Sequence, residues 1–242
     1  MMSFVIIYII LFLTVLASGS LVFFFKLEDQ KRLKLLLAFS GAFLMGISFI
    51  KLIPEVFSGP SRFAGIFVLL GFSIQLILEL ITEGAEHGHR HKHTEGERVA
   101  PFLLLTGLCI HAFLEGMPIV NSVDESIRRS LVIGIVLHNI PISITLVSLF
   151  VHYCCTGKRA FFYLSVFALM TPFGSIVSSM LPYTVSSEMN QFYKYVLAVV
   201  IGIFLHVSTS ILFETEENHK YNLQKFITVC FGLAVSFLFL LL

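Results

Sequence analysis

The sequence predicts an all-α, polytopic membrane protein with eight transmembrane helices, on three grounds. Of its 242 residues 57% are hydrophobic and 13% charged, which is more apolar surface than a single water-soluble core of that size can hide. The apolar residues fall into runs of about 20, the length that crosses the hydrocarbon of a bilayer. The basic residues are shared unequally between alternate connections, as in proteins whose cytoplasmic loops hold the excess.

In chain order the apolar runs cover residues 4–25, 35–54, 63–82, 99–121, 130–153, 160–182, 192–213 and 223–242. The first ends in Ala17-Ser18-Gly19-Ser20, as a cleavable leader would. Its positive charges come after the apolar run, at Lys26, Lys31, Arg32 and Lys34, and not ahead of it as in a leader, so the run is expected to be a retained helix. The third run carries Gln75 and Glu79 towards its end, where both are expected to meet water. Short connections join the runs, apart from the polar stretch 82–98, and no internal repeat is evident. Residues 1–242 are therefore expected to form a single transmembrane domain.

Lys26, Lys31, Arg32, Lys34, Arg90, Lys92, Arg98, Lys158, Arg159, Lys220 and Lys225 lie on one side of this arrangement. Lys51, Arg62, Arg128, Arg129 and Lys194 lie on the other, which divides the 16 basic residues 11 to 5. The odd-numbered connections should then face the cytoplasm and both termini the outside. A net charge of +1 leaves no basic excess to recruit nucleic acid and no acidic tail. Of the four cysteines, Cys109, Cys154, Cys155 and Cys230, none makes a CxxC pair, and the adjacent two are poorly placed for a structural disulfide. All four are read as ordinary thiols.

Ionisable groups inside a bilayer are costly and mark a cavity, a partner or a transported ion. The fourth run contains His111-Ala112-Phe113-Leu114-Glu115-Gly116, which sets an imidazole and a carboxylate four residues apart on one helix face. The fifth contains His138-Asn139-Ile140-Pro141, about eight residues into its helix, so that His138 can face the first pair. A metal site formed by His111, Glu115 and His138 between helices four and five is the expectation. Pro118 and Pro141 should each free a carbonyl one turn back, near Leu114 and Leu137, and open space around an ion. Nitrogen and carboxylate donors suit zinc and tolerate iron, manganese or cadmium. For His206, in the seventh run, a structural hydrogen bond is the expected role. The connection after helix three reads Glu86-His87-Gly88-His89-Arg90-His91-Lys92-His93, a composition that catches metal with modest, pH-dependent affinity.

These residues together resemble the ZIP family of divalent metal transporters. Gly41-Ala42-Phe43-Leu44-Met45-Gly46 leading to Leu52-Ile53-Pro54-Glu55 is similar to the family's glycine-rich second helix ending in Leu-Pro-Glu. The HxxxEG of helix four and the His138-Asn139-Ile140-Pro141 of helix five resemble its metal-site pair. Thr171-Pro172-Phe173-Gly174 is close to its Thr-Pro-Leu-Gly, and Gly202-Ile203-Phe204-Leu205 leading to Glu214 resembles its seventh helix. The resemblance implies uptake of a divalent cation into the cytoplasm, with the metal as substrate and no prosthetic group. The length and short loops suggest a plasma membrane or bacterial inner membrane, with intracellular membranes also compatible, and monomer and homodimer are both compatible with the sequence. Two positions depart from the family: Ala112 stands where Asn is common, and Ile142 where Glu or His is common. One transport site, and not a two-metal centre, follows from these departures.

The rival reading is an intramembrane zinc hydrolase acting on a lipid amide, which needs a third strong ligand and an activated water. The sequence has no HExxH and no Ser or Asp placed with the histidines. The basic-residue division makes a direct prediction. Single cysteines placed between Glu86 and His93 should resist membrane-impermeant thiol reagents in intact cells, and cysteines beside Asp124 should react. The opposite pattern would reverse the orientation.

Overall fold

The computed structural model describes residues 3–24, 30–59, 62–82, 101–122, 124–153, 156–180, 186–213 and 219–238. Its elements are all helical: α1 (Phe4–Phe24), α2 (Gln30–Ile47), a π-helical turn (Ser48–Leu52), α3 (Ile53–Phe57), α4 (Ala64–Ile81), α5 (Pro101–Gly116), α6 (Pro118–Asn121), α7 (Glu125–Tyr153), α8 (Gly157–Met180), α9 (Ser186–Phe213) and α10 (His219–Leu238). With α2–α3 and α5–α6 each forming one span, these are the eight expected. Seven are long and apolar enough to cross a membrane, and the eighth contributes the shorter apolar helix Asn222–Leu238. Residues 239–242, the Glu86–His93 segment, Cys154, Cys155 and Glu214 lie outside the described residues.

Helices α2, α7 and α9 start at Gln30, Glu125 and Ser186, ahead of the apolar runs expected from 35, 130 and 192. Their first turns are polar, and a hydropathy count cannot see a helix that continues into the headgroup region. The start of α7 has a local cause: Asp124 Oδ1 accepts the backbone N–H groups of Ser126 at 2.7 Å and Ile127 at 3.3 Å, capping two donors that the helix leaves unpaired. The outward surface is apolar, with Ile66, Leu69 and Leu80 of α4 all more than half exposed. Facing lipid, such side chains give up nothing.

The prolines act differently from one another. Pro141 and Pro172 sit inside continuous helices. Before Pro54 the backbone widens instead, and Ile53 donates its N–H to the carbonyl of Ser48, five residues back. The Ser48 hydroxyl donates to the carbonyl of Leu44 at 2.7 Å. Such a π turn absorbs one extra residue without breaking the span. At Pro118 the helix is interrupted for one residue: α5 stops at Gly116, Met117 keeps helical dihedrals and Pro118 opens α6. The Leu114 carbonyl expected to be free accepts the Met117 N–H at 3.2 Å, a donor three residues on in place of the N–H that Pro118 lacks.

Helix packing falls into two groups. Helices α1, α5, α7 and α8 pack mainly on one another, as do α2, α4, α9 and α10, while α2 against α7 and α4 against α5 join the groups. Within each group glycines bring backbones into contact. A Cβ on Gly116 would fall on the carbonyl oxygen of Thr171, and one on Gly174 on that of Phe113, which locks α5 to α8 reciprocally. Gly71 against the Val199 carbonyl and Gly202 against that of Val68 do the same for α4 and α9. Without a hydrophobic drive between helices in lipid, close contact of small residues is what holds them together. Between the groups the contact is softer: a Cβ on Gly134 of α7 would meet side chains of α2, the methyl ends of Ile47 and Leu44 and the ring edge of Phe43.

This packing predicts that Gly116→Ala and Gly174→Ala each destabilise the protein by about 1–3 kcal/mol, as overpacking does. Gly65→Ala is the control, since nothing lies within 4 Å of a Cβ there and alanine favours a helix. Melting in detergent should show a lowered transition for the first two variants and an unchanged or raised one for the third.

Candidate metal centre

His111 and Glu115 stand four residues apart near the end of α5, whose position is set by the backbone contact with α8. His138 lies near the middle of the 29-residue α7 and not eight residues in, because that helix starts earlier than its apolar run. All three expected residues come together. Their ligand atoms lie within 4.8 Å of one another, and the two imidazole rings meet edge to face with centroids 5.8 Å apart. His111 and Glu115 are 0% exposed and His138 is 1% exposed.

The protonation of the site follows from its neighbours. His111 Nδ1 is 2.8 Å from Oε1 of Gln75, and an amide oxygen can only accept, so Nδ1 carries the proton. In the neutral ring Nε2 is then a lone pair, and it lies 3.0 Å from Oε1 of Glu115. Two acceptor atoms so close repel unless a cation or proton sits between them. Neither carboxylate oxygen of Glu115 accepts a hydrogen bond among the described residues, although a buried carboxylate without compensation is strongly unfavourable. Zinc–ligand bonds of about 2.0–2.2 Å place neighbouring donors of a tetrahedral site about 3.4 Å apart. The His111–Glu115 spacing is already close to that.

Gln75 does not behave as expected, whereas Glu79 is partly exposed. Gln75 is fully buried and belongs to the site through His111, because α4 packs against α5 and turns this face inward. Glu79, one turn further along α4, lies 3.4 Å from His206 Nδ1 and accepts a hydrogen bond from the Ser210 hydroxyl at 3.2 Å. Phe72 meets the His206 ring edge-on, centroids 4.7 Å apart. His206 thus faces Glu79, in a contact that lacks the geometry of the hydrogen bond expected of it. An amide within an apolar span was the available signal for Gln75, by the same rule that singled out the histidines. Asn139, beside His138, is a further polar group that the sequence reading left without a role: its Oδ1 is buried with no hydrogen-bond partner among the described residues.

Ala112 and Ile142 are buried in one apolar cluster with Leu108, Leu146 and Phe167, and neither side chain has a donor atom to offer a second ion. Cys109 and Cys230 are free thiols.

Comparison with known proteins places the same segment in context. The ZIP Zinc transporter family matches residues 82–240, which include His111, Glu115 and His138 but not Gln75. Zinc transporter ZIP9 of Xenopus tropicalis is 30% identical over 164 residues, covering 63% of this chain and 52% of the relative. Zinc transporter ZIP9-A of Xenopus laevis is 30% identical over 131 residues, covering 52% and 41%. Zinc transporter ZIP9 of Micropogonias undulatus is 30% identical over 113 residues, covering 45% and 36%. The chain spans about half or less of the length of these curated relatives.

An ion that binds the folded state alone adds stability, about 2.7 kcal/mol at a hundred times its dissociation constant. Zinc should therefore raise the melting transition of the purified protein. The gain should disappear in Glu115→Gln and shrink on acidification, since protons compete for both imidazoles and for the carboxylate.

Proposed function

Because the chain belongs to the ZIP family of zinc transporters, we propose that it carries a divalent metal, zinc first, across its membrane into the cytoplasm. The observation that carries this reading is the buried, converging set of His111, Glu115 and His138. It is a multi-pass membrane protein with seven apolar helices of spanning length, and its family is one of transporters and not of enzymes. The lipid-amide hydrolase reading is thereby set aside. The metal is cargo and no prosthetic group is involved.

The two helix groups supply a means of movement. His111, Glu115 and His138 all belong to the α1–α5–α7–α8 group, so the three ligands travel together as that group slides against the other. Backbone-to-backbone glycine contacts join α5 to α8 and α4 to α9, and Ser18 Oγ lies 2.7 Å from Ser143 Oγ between α1 and α7, while methyl groups and single hydrogen bonds, such as Lys51 Nζ to Ser126 Oγ at 2.6 Å and Tyr193 OH to Ser122 Oγ at 3.3 Å, span the joint. A rigid ligand set rocking against a scaffold exposes one site to each face in turn. Glu115 offsets the charge of the desolvated ion, and the two imidazoles bind only when neutral. No nucleotide motif drives the process.

Inward direction rests on the division of basic residues, which places residues 82–98 in the cytoplasm and both termini outside. There the histidines at 87, 89, 91 and 93 receive metal leaving the site. With Ala112 and Ile142 apolar and buried, a single transport site is the reading, in one transmembrane domain acting alone or as a homodimer at a plasma or bacterial inner membrane.

Metal uptake by cells is the test. His111→Ala, Glu115→Ala and His138→Ala should each abolish it at normal surface expression, while Ile142→Ala leaves uptake measurable. Glu115→Gln keeps size and hydrogen bonding and removes only the charge. Normal uptake by that variant would reduce His111 and Glu115 to structural partners.

A further inference from the structure

Three side-chain hydrogen bonds named above tie the two helix groups together, and one of them ends on a ligand of the proposed site. Gln75 comes from α4, in the group that does not hold the ligands, and it is fully buried. Its Oε1 accepts the Nδ1–H of His111 at 2.8 Å. Resting on the transport reading, we propose that Gln75 is a positioning residue that makes the metal affinity of the site depend on the relative placement of the two groups.

The chemistry follows from which nitrogen carries the proton. A neutral imidazole has two tautomers, and only the form with its proton on Nδ1 presents the Nε2 lone pair to a metal beside Glu115. The amide oxygen of Gln75 selects that form and fixes the ring plane. Partners of this kind typically change metal affinity about 10–100-fold. A ligand held by its own helix would keep such support throughout a transport cycle. Gln75 stands on the opposite side of the joint, and a slide of even one helical turn, about 5.4 Å, would break a 2.8 Å contact. The site is therefore tightened when the groups stand as they do in this structure and loosened when they have moved. One amide thereby makes capture and release differ without any change of ligands.

The surroundings agree with a link that has to break. Gln75 is neutral, so its separation from His111 leaves no unpaired charge. Within each group hydrogen bonds such as Ser210 to Glu79 are backed by carbonyl oxygens set against glycines, which cannot separate without parting the helices. The family match begins at residue 82, beyond Gln75, so nothing in it assigns this role.

The proposal is tested with Gln75→Leu, which keeps the volume and removes the acceptor, and Gln75→Glu, which keeps an acceptor oxygen. Zinc binding is measured on purified protein by equilibrium dialysis, and KM and Vmax for zinc uptake in cells at matched surface expression. Gln75→Leu should weaken zinc binding about 10–100-fold and raise KM without lowering Vmax, because a tie that breaks in each cycle has been removed. Gln75→Glu should keep binding within a few-fold of the parent. Parental affinity and KM in a well-folded Gln75→Leu variant would overturn the proposal. So would equal loss of binding in both variants with a lowered melting transition, which is the pattern of a purely structural residue. His111→Ala separates the two levels. If it abolishes zinc binding while Gln75→Leu does not, only the role of Gln75 fails; if it leaves binding intact, the site assignment itself fails.

Discussion

A carboxylate buried among membrane helices is the constraint on which the rest of the structure turns. Glu115 is fully enclosed, neither of its oxygens accepts a hydrogen bond among the described residues, and its nearest polar neighbour is an imidazole 3.0 Å away. A negative charge in that position is tolerable only with a cation at hand, whether a proton or a metal. Everything nearby is arranged around that demand. The α5 helix that bears Glu115 is pressed onto α8, α7 brings His138 across, and α4 turns an amide inward to orient His111.

The division into two helix groups gives this buried charge a way to move. Contact between backbones, as at Gly116 with Thr171 and Gly202 with Val68, leaves no slack, so those helix pairs behave as single bodies. The larger apolar cluster lies between the groups and contains Leu44, Ile47, Leu131, Ile135, Ile201 and Phe204. Apolar contact of this kind is non-directional. Across the same joint run the hydrogen bonds from His111 to Gln75 and from Lys51 to Ser126.

Much of this was legible in the sequence, for identifiable reasons. Span number follows from the length of the apolar runs, because the bilayer sets one thickness for all of them. The pairing of His111 with Glu115 follows from helix periodicity, which places residues four apart on one face wherever the helix lies. His138 was accessible for a cruder reason, as an ionisable group deep in an apolar span. Gln75 was misplaced because its nearness to the next polar stretch was taken as a measure of exposure. A helix end can be dry when a neighbouring helix covers it, and only the packing of α4 on α5 shows that this one is.

The prolines mark the same boundary from another side. Pro54, Pro118, Pro141 and Pro172 read alike in sequence, each a residue without an N–H in an apolar run. One follows a π turn, one interrupts its helix, and two sit within continuous helices. What separates them is which nearby group takes up the backbone partner, the Ser48 carbonyl for the Ile53 N–H before Pro54 and the Met117 N–H for the Leu114 carbonyl before Pro118. By itself the sequence determined the solvent, the number of spans and the ligands that share a helix, because those are properties of one segment facing a uniform medium. Only the tertiary structure decided which helix turns Gln75 onto His111, which helices pack into each group and where the helices break. Those depend on close contact between segments, and neither hydropathy nor periodicity encodes the distance between two helices.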